Sequence, residues 1–213
     1  MPERAKYLAV FILLTMITAC ADTPVVQEQP STEFAAEGLH PVSSSGFEAA
    51  YARPNANLAS YRTLDVVSMD VSDVHISHTT APGTMRRDWQ IMPERKTNLQ
   101  GAWDRAMNRA FAGYAHAGTG DKELRITAKL TRLEPGRTSA AAGHVSGMAG
   151  TSTDTVDVSA EFRLYDQAGG DLLAVVRDRR TIAMLQWTRA AGTDMVNLFN
   201  SWAALLHTRV SGK

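Results

Sequence analysis

The chain has 213 residues, in which 22 Lys and Arg balance 22 Asp and Glu, and 44% of the residues are hydrophobic. This length and hydrophobic content suit a single domain with its own core, and the balanced charge argues against nucleic-acid binding, which requires a basic surface. The chain has one cysteine, Cys20, so an internal disulfide is excluded.

The first 19 residues have the pattern of a secretory signal peptide. Arg4 and Lys6 form a basic head, an apolar run covers residues 7–16, and the small residue Ala19 precedes Cys20. The run is shorter than the roughly 20 apolar residues of a membrane-spanning helix. The stretch "ITAC" at 17–20 resembles the lipobox of bacterial lipoproteins, in which the thiol receives a diacylglyceryl group and the new amino terminus is usually acylated as well. Cys20 is therefore predicted to carry the lipid, and an incidental cysteine after an ordinary signal peptide is the alternative.

Residues 20–50 are predicted to form the acylated amino terminus and a flexible tether. The stretch is rich in Pro, Gln, Ser, Glu and Ala and has no sustained hydrophobic period. Such a tether would contribute little apolar burial, so we expect that residues 21–45 could be deleted without loss of stability. A single α+β domain is then predicted over residues 51–213.

Hydrophobic periodicity in this domain predicts the order β-α-β-β-β-α. A strand at 63–74 and an irregular crossing at 79–96 come first, and a helix from Asn98 to Tyr114 follows them. Strict alternation at 123–135 and 154–166, and a third strand after the turn at 166–170, predict antiparallel strands. An amphipathic helix at 194–206, capped by Thr193, closes the chain. The predicted fold is two-layered, with two helices on one face of a small, mostly antiparallel sheet.

Three stretches carry a resemblance to a known family. They are "YARPNANLASYRTLDVVSMDV", "ELRITAKLTRLEP" and "SAEFRLYDQAGGDLLAVVRDRR". Together with the lipobox they resemble an uncharacterised family of bacterial lipoproteins, domain-of-unknown-function family 3313, over most of residues 45–210. The resemblance implies a location and a fold, and it implies no catalytic residues.

Two motifs suggest a metal-binding or catalytic site, but each has a simpler explanation. His75 and His78 have a spacing that places them on opposite faces of a strand, so surface histidines are favoured over a metal site. The stretch "AAAGHVSGMAG" lacks the Gly-Lys-Ser/Thr ending of a phosphate loop. It also places Ser146 one residue too late for a nucleophile elbow, so a long loop of small residues is favoured. No metal, cofactor or catalytic residue is predicted.

The tryptophans divide into two groups. Trp103 and Trp202 lie on apolar helical stripes and are predicted to pack in the core. Trp89 lies outside any stripe and beside Arg86 and Arg87. These three residues are a candidate contact for a protein partner, because Trp and Arg dominate binding hot spots; a loop tryptophan folded onto the core is the alternative.

The predicted function is a lipoprotein of the cell envelope. Ala21, where Asp would favour retention in the inner membrane, favours the periplasmic face of the outer membrane. The chain is predicted to act as a binding or assembly module that contacts the membrane through its acyl chains, palmitate among them, and binds a periplasmic protein. A membrane-tethered hydrolase or metal-dependent enzyme is the alternative.

Overall fold

A computed structural model describes residues 23–78, 89–118, 122–135, 155–183 and 193–212, which contain nine strands and two α-helices. The strands are β1 (Val25–Val26), β2 (His40–Ser43), β3 (Ala49–Ala52), β4 (Thr63–Val66), β5 (His75–Ile76), β6 (Ala115–His116), β7 (Glu123–Pro135), β8 (Thr155–Asp166) and β9 (Leu172–Ala183). The helices are α1 (Pro93–Ala110) and α2 (Thr193–Ser211).

The strands form one sheet in the order β1-β2-β3-β9-β8-β7-β4-β6, and β5 also pairs with β7. The pairings from β1 to β7 are antiparallel, whereas β4 pairs in parallel with both β6 and β7, and β5 pairs in parallel with β7. The two-layer α+β prediction is confirmed, but the sheet is mixed and larger than predicted. The physical reason is that α1 lies between β4 and β7 in the chain and can serve as the crossover that a parallel pair needs.

The predicted strand at 63–74 is interrupted. Regular pairing with β7 ends at Val66, a single bridge joins Asp70 to Lys129, and pairing resumes at His75. The segment from Thr63 to Ile76 therefore follows one edge of β7 for most of that strand's length, as a broken strand.

Helix α1 begins earlier than its pattern predicted. Pro93 lies within the irregular crossing predicted at 79–96, but in the structure it occupies the first turn of the helix. Proline fits there because the first amide groups of a helix have no intrahelical acceptor, so its missing N–H is not lost. The helix ends at Ala110, four residues before the predicted end at Tyr114.

Two register shifts explain which side chains reach the core. In β7 the pairing with β8 shifts between Leu130 and Arg132, so burial on the helix side passes from Leu130 to Leu133. In β9 the shift at Leu173 places Leu173 and Ala174 together in the main core. Each shift is a β-bulge, in which one extra residue on one strand reverses the alternation beyond it.

The main core lies between the helices and the face of the sheet that they cover, called here the inner face. Trp103 of α1 stacks on Phe162 of β8 at 5.4 Å between ring centroids, and Trp202 of α2 meets the same ring edge-on at 5.5 Å. Trp103, Phe162, Phe199 and Trp202 are all fully buried. The predicted core positions of the two helical tryptophans are therefore confirmed.

Residues 23–43, called here the N-terminal arm, correct the prediction of a flexible tether. The arm adds β1 and β2 to the sheet beyond β3. Phe34 and Leu39 are buried with Leu172 and Val175 in a second, smaller core. Because Val175 alternates with the inner-face residues on either side of it, this second core lies on the opposite, outer face. The burial of these apolar side chains on an otherwise uncovered sheet face favours order in the arm, and so does the strand pairing of β1 and β2.

Candidate binding groove on the outer face of the sheet

The outer face of β7 and β8 carries an open groove of about 850 Å³. Alternation directs Ile126 and Leu130 toward the core, so the side chains of Thr127, Lys129 and Thr131 face outward. The groove, called here the outer groove, is bordered by the broken strand along β7. Its lining comprises Asp70, Asp73, Val74, His75, Ile76, Thr127, Ala128, Lys129, Thr131, Glu161 and Arg163.

Glu161 is the most buried charge of the outer groove. Its side chain is 14% exposed and accepts hydrogen bonds from Nε of Arg163 and Nε of Arg177, each at 2.7 Å. Burial acts to raise the pKa of Glu161, but the hydrogen bonds from Arg177 and Arg163 outweigh it and leave the pKa lowered. The same carboxylate raises the pKa of Arg163, so the pair is charged at neutral pH. The two carboxylate oxygens of Glu161 are thus hydrogen-bonded by arginines from two different strands, Arg163 of β8 and Arg177 of β9.

The N-terminal arm fixes the second arginine of this network. Both terminal nitrogens of Arg177 donate to Glu33 of the arm, at 3.0 and 2.7 Å, which is a bidentate pair. The guanidinium carbon of Arg177 also lies 5.3 Å from the centroid of the Phe34 ring. The hydrogen bond from Arg177 is the main cause of the lowered pKa of Glu33. The arm therefore holds one end of the charge network on the outer face.

Around Lys129, on the β7 side of the outer groove, the arrangement of charges is reversed. Here an exposed cation has acidic residues around it. Lys129 donates to Asp73 at 3.1 Å, and the Asp73 side chain is 87% exposed. Asp70 accepts hydrogen bonds from the hydroxyl and the backbone N–H of Ser72, which lower its pKa. The outer groove therefore presents both signs of charge within one cleft, some nearly buried and some exposed.

The sequence also raised the possibility that His75 and His78 bind a metal ion. His75 and His78 are both exposed, and only His75 lines the outer groove. Within the described ranges, no group of three or more His, Cys, Asp or Glu side chains could hold a metal ion.

Of the site residues predicted from sequence, only Trp89 is among the residues that the structure describes. Cys20, Arg86, Arg87 and the Gly-rich stretch 140–150 lie outside the described residues. Trp89 is described and fully buried in the main core. The prediction that Trp89 is an exposed partner contact is therefore wrong, and the alternative, a loop tryptophan folded onto the core, is what the structure has. The reason is that burial of so large a ring outweighs the polarity of its sequence neighbours.

The charged residues at 177–180 divide between the two faces of the sheet. Asp178 is 3% exposed and lies on the inner face, where it accepts hydrogen bonds from Arg180, from the indole of Trp202 and from the backbone N–H of Glu48. Arg177 lies on the outer face. Alternation could have indicated that neighbouring charges separate to opposite faces, but the partners Glu33 and Trp202 are distant in sequence and gave no signal.

Residues 30–206 match the model of a family described as protein of unknown function DUF3313. No curated protein matches the chain. No helix in the described part of the chain is long and apolar enough to cross a membrane.

Similar solved structures share little sequence with the chain. The PelC dodecamer from Paraburkholderia phytofirmans is 10% identical over 72% of this chain and 92% of that one, with a TM-score of 0.38. Protein XCC0632 from Xanthomonas campestris, of family DUF330, is 14% identical over 71% and 88%, with a TM-score of 0.40. A minor lipoprotein from Acinetobacter baumannii is 8% identical over 72% and 94%, with a TM-score of 0.32. Similarity at this level transfers no function to the chain.

Proposed function

The chain belongs to the DUF3313 family, and from that premise we propose that it is a lipid-anchored protein of the bacterial envelope that binds a polar polypeptide in its outer groove. The anchor is the acylated Cys20, and Ala21 after it favours the periplasmic face of the outer membrane. The protein acts by binding and not by catalysis.

The observation that carries the binding proposal is the fixed charge network of the outer groove. Glu161 is held by one arginine from each of two strands, and Arg177 is held in turn by the arm. Groups that are already held in place lose less conformational freedom when a partner binds, so preorganisation favours affinity. Both signs of charge are present, which favours a polypeptide partner with complementary charges and selects against uniformly charged ligands.

The start of the folded chain supports the anchoring proposal. The described part of the chain begins at Thr23, and β1 begins at Val25. Pro24 lies four positions after Cys20 in the chain, a span of at most about 14 Å. A domain anchored at Cys20 would thus lie against the bilayer, and a partner bound to it would be held at the membrane surface.

The anchor is tested by replacing Cys20. We expect Cys20→Ala to abolish labelling with palmitate and to leave the precursor uncleaved, measured by mass spectrometry of membrane fractions. Ala21→Asp is the matched variant, and it should keep the lipid but move the protein to the inner membrane. Palmitate on the Cys20→Ala protein, or an unmodified cysteine in the wild type, would contradict the anchor.

The outer groove is tested by photo-crosslinking in cells. A photoreactive residue at Thr131, which lines the groove, should give a discrete protein adduct, and the same residue at the exposed Asn108 of α1 should not. Lys129→Glu reverses the exposed cation and should abolish the Thr131 adduct. Equal adducts at both positions, or an adduct that survives the charge reversal, would contradict binding in this groove. Stoichiometric metal in the purified protein would instead favour an enzyme.

A further inference from the structure

A second cavity, of about 300 Å³, lies on the inner face beside the carboxyl end of α2. We call it the apolar groove. Its lining includes the apolar residues Val26, Val42, Phe47, Leu58, Leu206 and Val210. Leu206 and Val210 belong to α2, whereas Val26 and Val42 belong to β1 and β2, so a helix and the arm line the same cleft.

Small side chains keep the apolar groove open. Ala50 and Ala52 of β3 and Ala174 of β9 line it at positions where larger β-branched residues would fill the space. Ala56 lines it from the loop that follows β3, and Ala59 lines it from a 3-10 helix, Leu58–Ser60. A volume of this size is at the lower end of the range for pockets that bind small molecules. The volume and the apolar lining fit an unbranched hydrocarbon chain.

The lining also contains cationic side chains. Arg53 and Arg209 are both among the lining residues. Arg209 donates to the backbone oxygen of Ser45, and Arg53 pairs with Asp171. The Nε of Arg53 is buried and has no hydrogen-bond partner among the residues that the structure describes. A buried donor without an acceptor is costly, and the carbonyl oxygen of an ester or amide would satisfy it.

The predicted lipid attachment site, Cys20, lies close enough to the apolar groove for its own acyl chain to be the favoured occupant. Pro24 lines the apolar groove and lies four residues after Cys20. The connecting residues span at most about 14 Å. A chain attached to Cys20 is therefore held at a high local concentration beside the groove, whereas a free lipid must be bound from the bilayer.

We propose that one of the acyl chains carried by Cys20 lodges in the apolar groove of the same molecule, with its carbonyl oxygen accepting a hydrogen bond from Arg53. The inference rests on the proposed lipid anchor and deepens it. A lipoprotein acylated at both the thiol and the amino terminus has three chains, and two chains suffice for stable anchoring. Withdrawing one chain from the bilayer then leaves the protein attached and fixes the orientation of the domain above the membrane.

The test uses the full lipidated protein in cells fed a palmitate analogue with a photoreactive diazirine near its methyl end. After illumination, digestion and mass spectrometry identify which peptides the acyl chain has joined. We expect a cross-link between the Cys20 peptide and a peptide from the groove wall, residues 203–212 or 40–52. Ala52→Phe, which fills the groove, should abolish that cross-link, and Ala204→Phe on the exposed side of α2 should leave it unchanged.

The cross-linked peptides and the mass of the amino-terminal peptide distinguish failure of the proposed occupant from failure of the anchor. An acylated Cys20 peptide whose chains cross-link only to membrane lipids would overturn it, and a free phospholipid joined to the groove wall would overturn the choice of occupant. An unmodified Cys20 would instead show that the anchor itself is wrong, which the mass of the amino-terminal peptide reveals directly. If thermal melting shows that Ala52→Phe does not fold, then Ala56→Phe, at the half-buried loop position, provides the same test.

Discussion

The indole Nε1 of Trp202 donates a hydrogen bond to Oδ2 of Asp178 at 2.7 Å, and both residues are buried on the inner face of the sheet. The other carboxylate oxygen accepts from the backbone N–H of Glu48, just before β3. One buried carboxylate therefore joins α2, β9 and the beginning of β3.

Truncation of Trp202 should be among the most damaging single changes. Trp202→Ala removes a fully buried ring that contacts Phe162 and Phe199, and we expect the free energy of unfolding to fall by about 3–5 kcal/mol. Arg163→Ala is the control on the outer face. It removes a partly exposed ion pair, so it should cost about 1 kcal/mol or less. Urea unfolding measures both, and equal losses would contradict the assignment of faces.

The hydrogen bond itself can be isolated by a double-mutant cycle. Trp202→Phe keeps a smaller aromatic ring and removes the donor, and Asp178→Ala removes the acceptor. Because a hydrogen bond to a charged group contributes about 1.5–3 kcal/mol, we expect a coupling of that order between the two substitutions. Glu161→Gln, on the outer face, should show no coupling with Trp202→Phe. A coupling near zero for the first pair would contradict the buried contact.

The N-terminal arm should contribute to stability. Leu39 is fully buried against the outer face, so Leu39→Ala is expected to lower the free energy of unfolding by about 2–5 kcal/mol. Glu37→Ala, at an exposed position two residues away, should change it by no more than about 0.5 kcal/mol. Thermal or urea unfolding makes the comparison. A Leu39→Ala protein as stable as the wild type would restore the idea of a tether that can be deleted.

The charge network should make stability depend on acid pH. The pKa of Glu161 is lowered from its ordinary value of 4.5, so the unfolded chain binds its proton first as pH falls. The carboxylate therefore contributes its full stabilisation above about pH 4.5, and this is lost as the pH falls through the lowered native value. We expect Glu161→Gln to be less stable than the wild type at neutral pH and to lose less stability on acidification. Urea midpoints at about pH 7 and about pH 3 test this. Parallel losses in both proteins would contradict it.

The sequence alone determined the elements whose patterns are long and regular. Strict alternation in β7 and β8 placed Ile126 and Phe162 on the buried face, and helical spacing placed Trp103 and Trp202 in the core. The Gly-containing turn after Asp166 was also predicted, and Gly170 has the positive φ of 69° that such a turn requires. These features could be predicted because each depends on residues close together in the chain.

The tertiary structure alone decided where isolated residues went. Phe34 and Leu39 lie in a polar stretch with no period, and Trp89 lies beside charged residues, yet all three are buried. The ion pair between Glu33 and Arg177 joins residues 144 positions apart, and the bond between Asp178 and Trp202 crosses from sheet to helix. Local pattern is silent on such contacts, because the free energy of burying one side chain depends on which distant surface is left uncovered when the strands and helices have assembled.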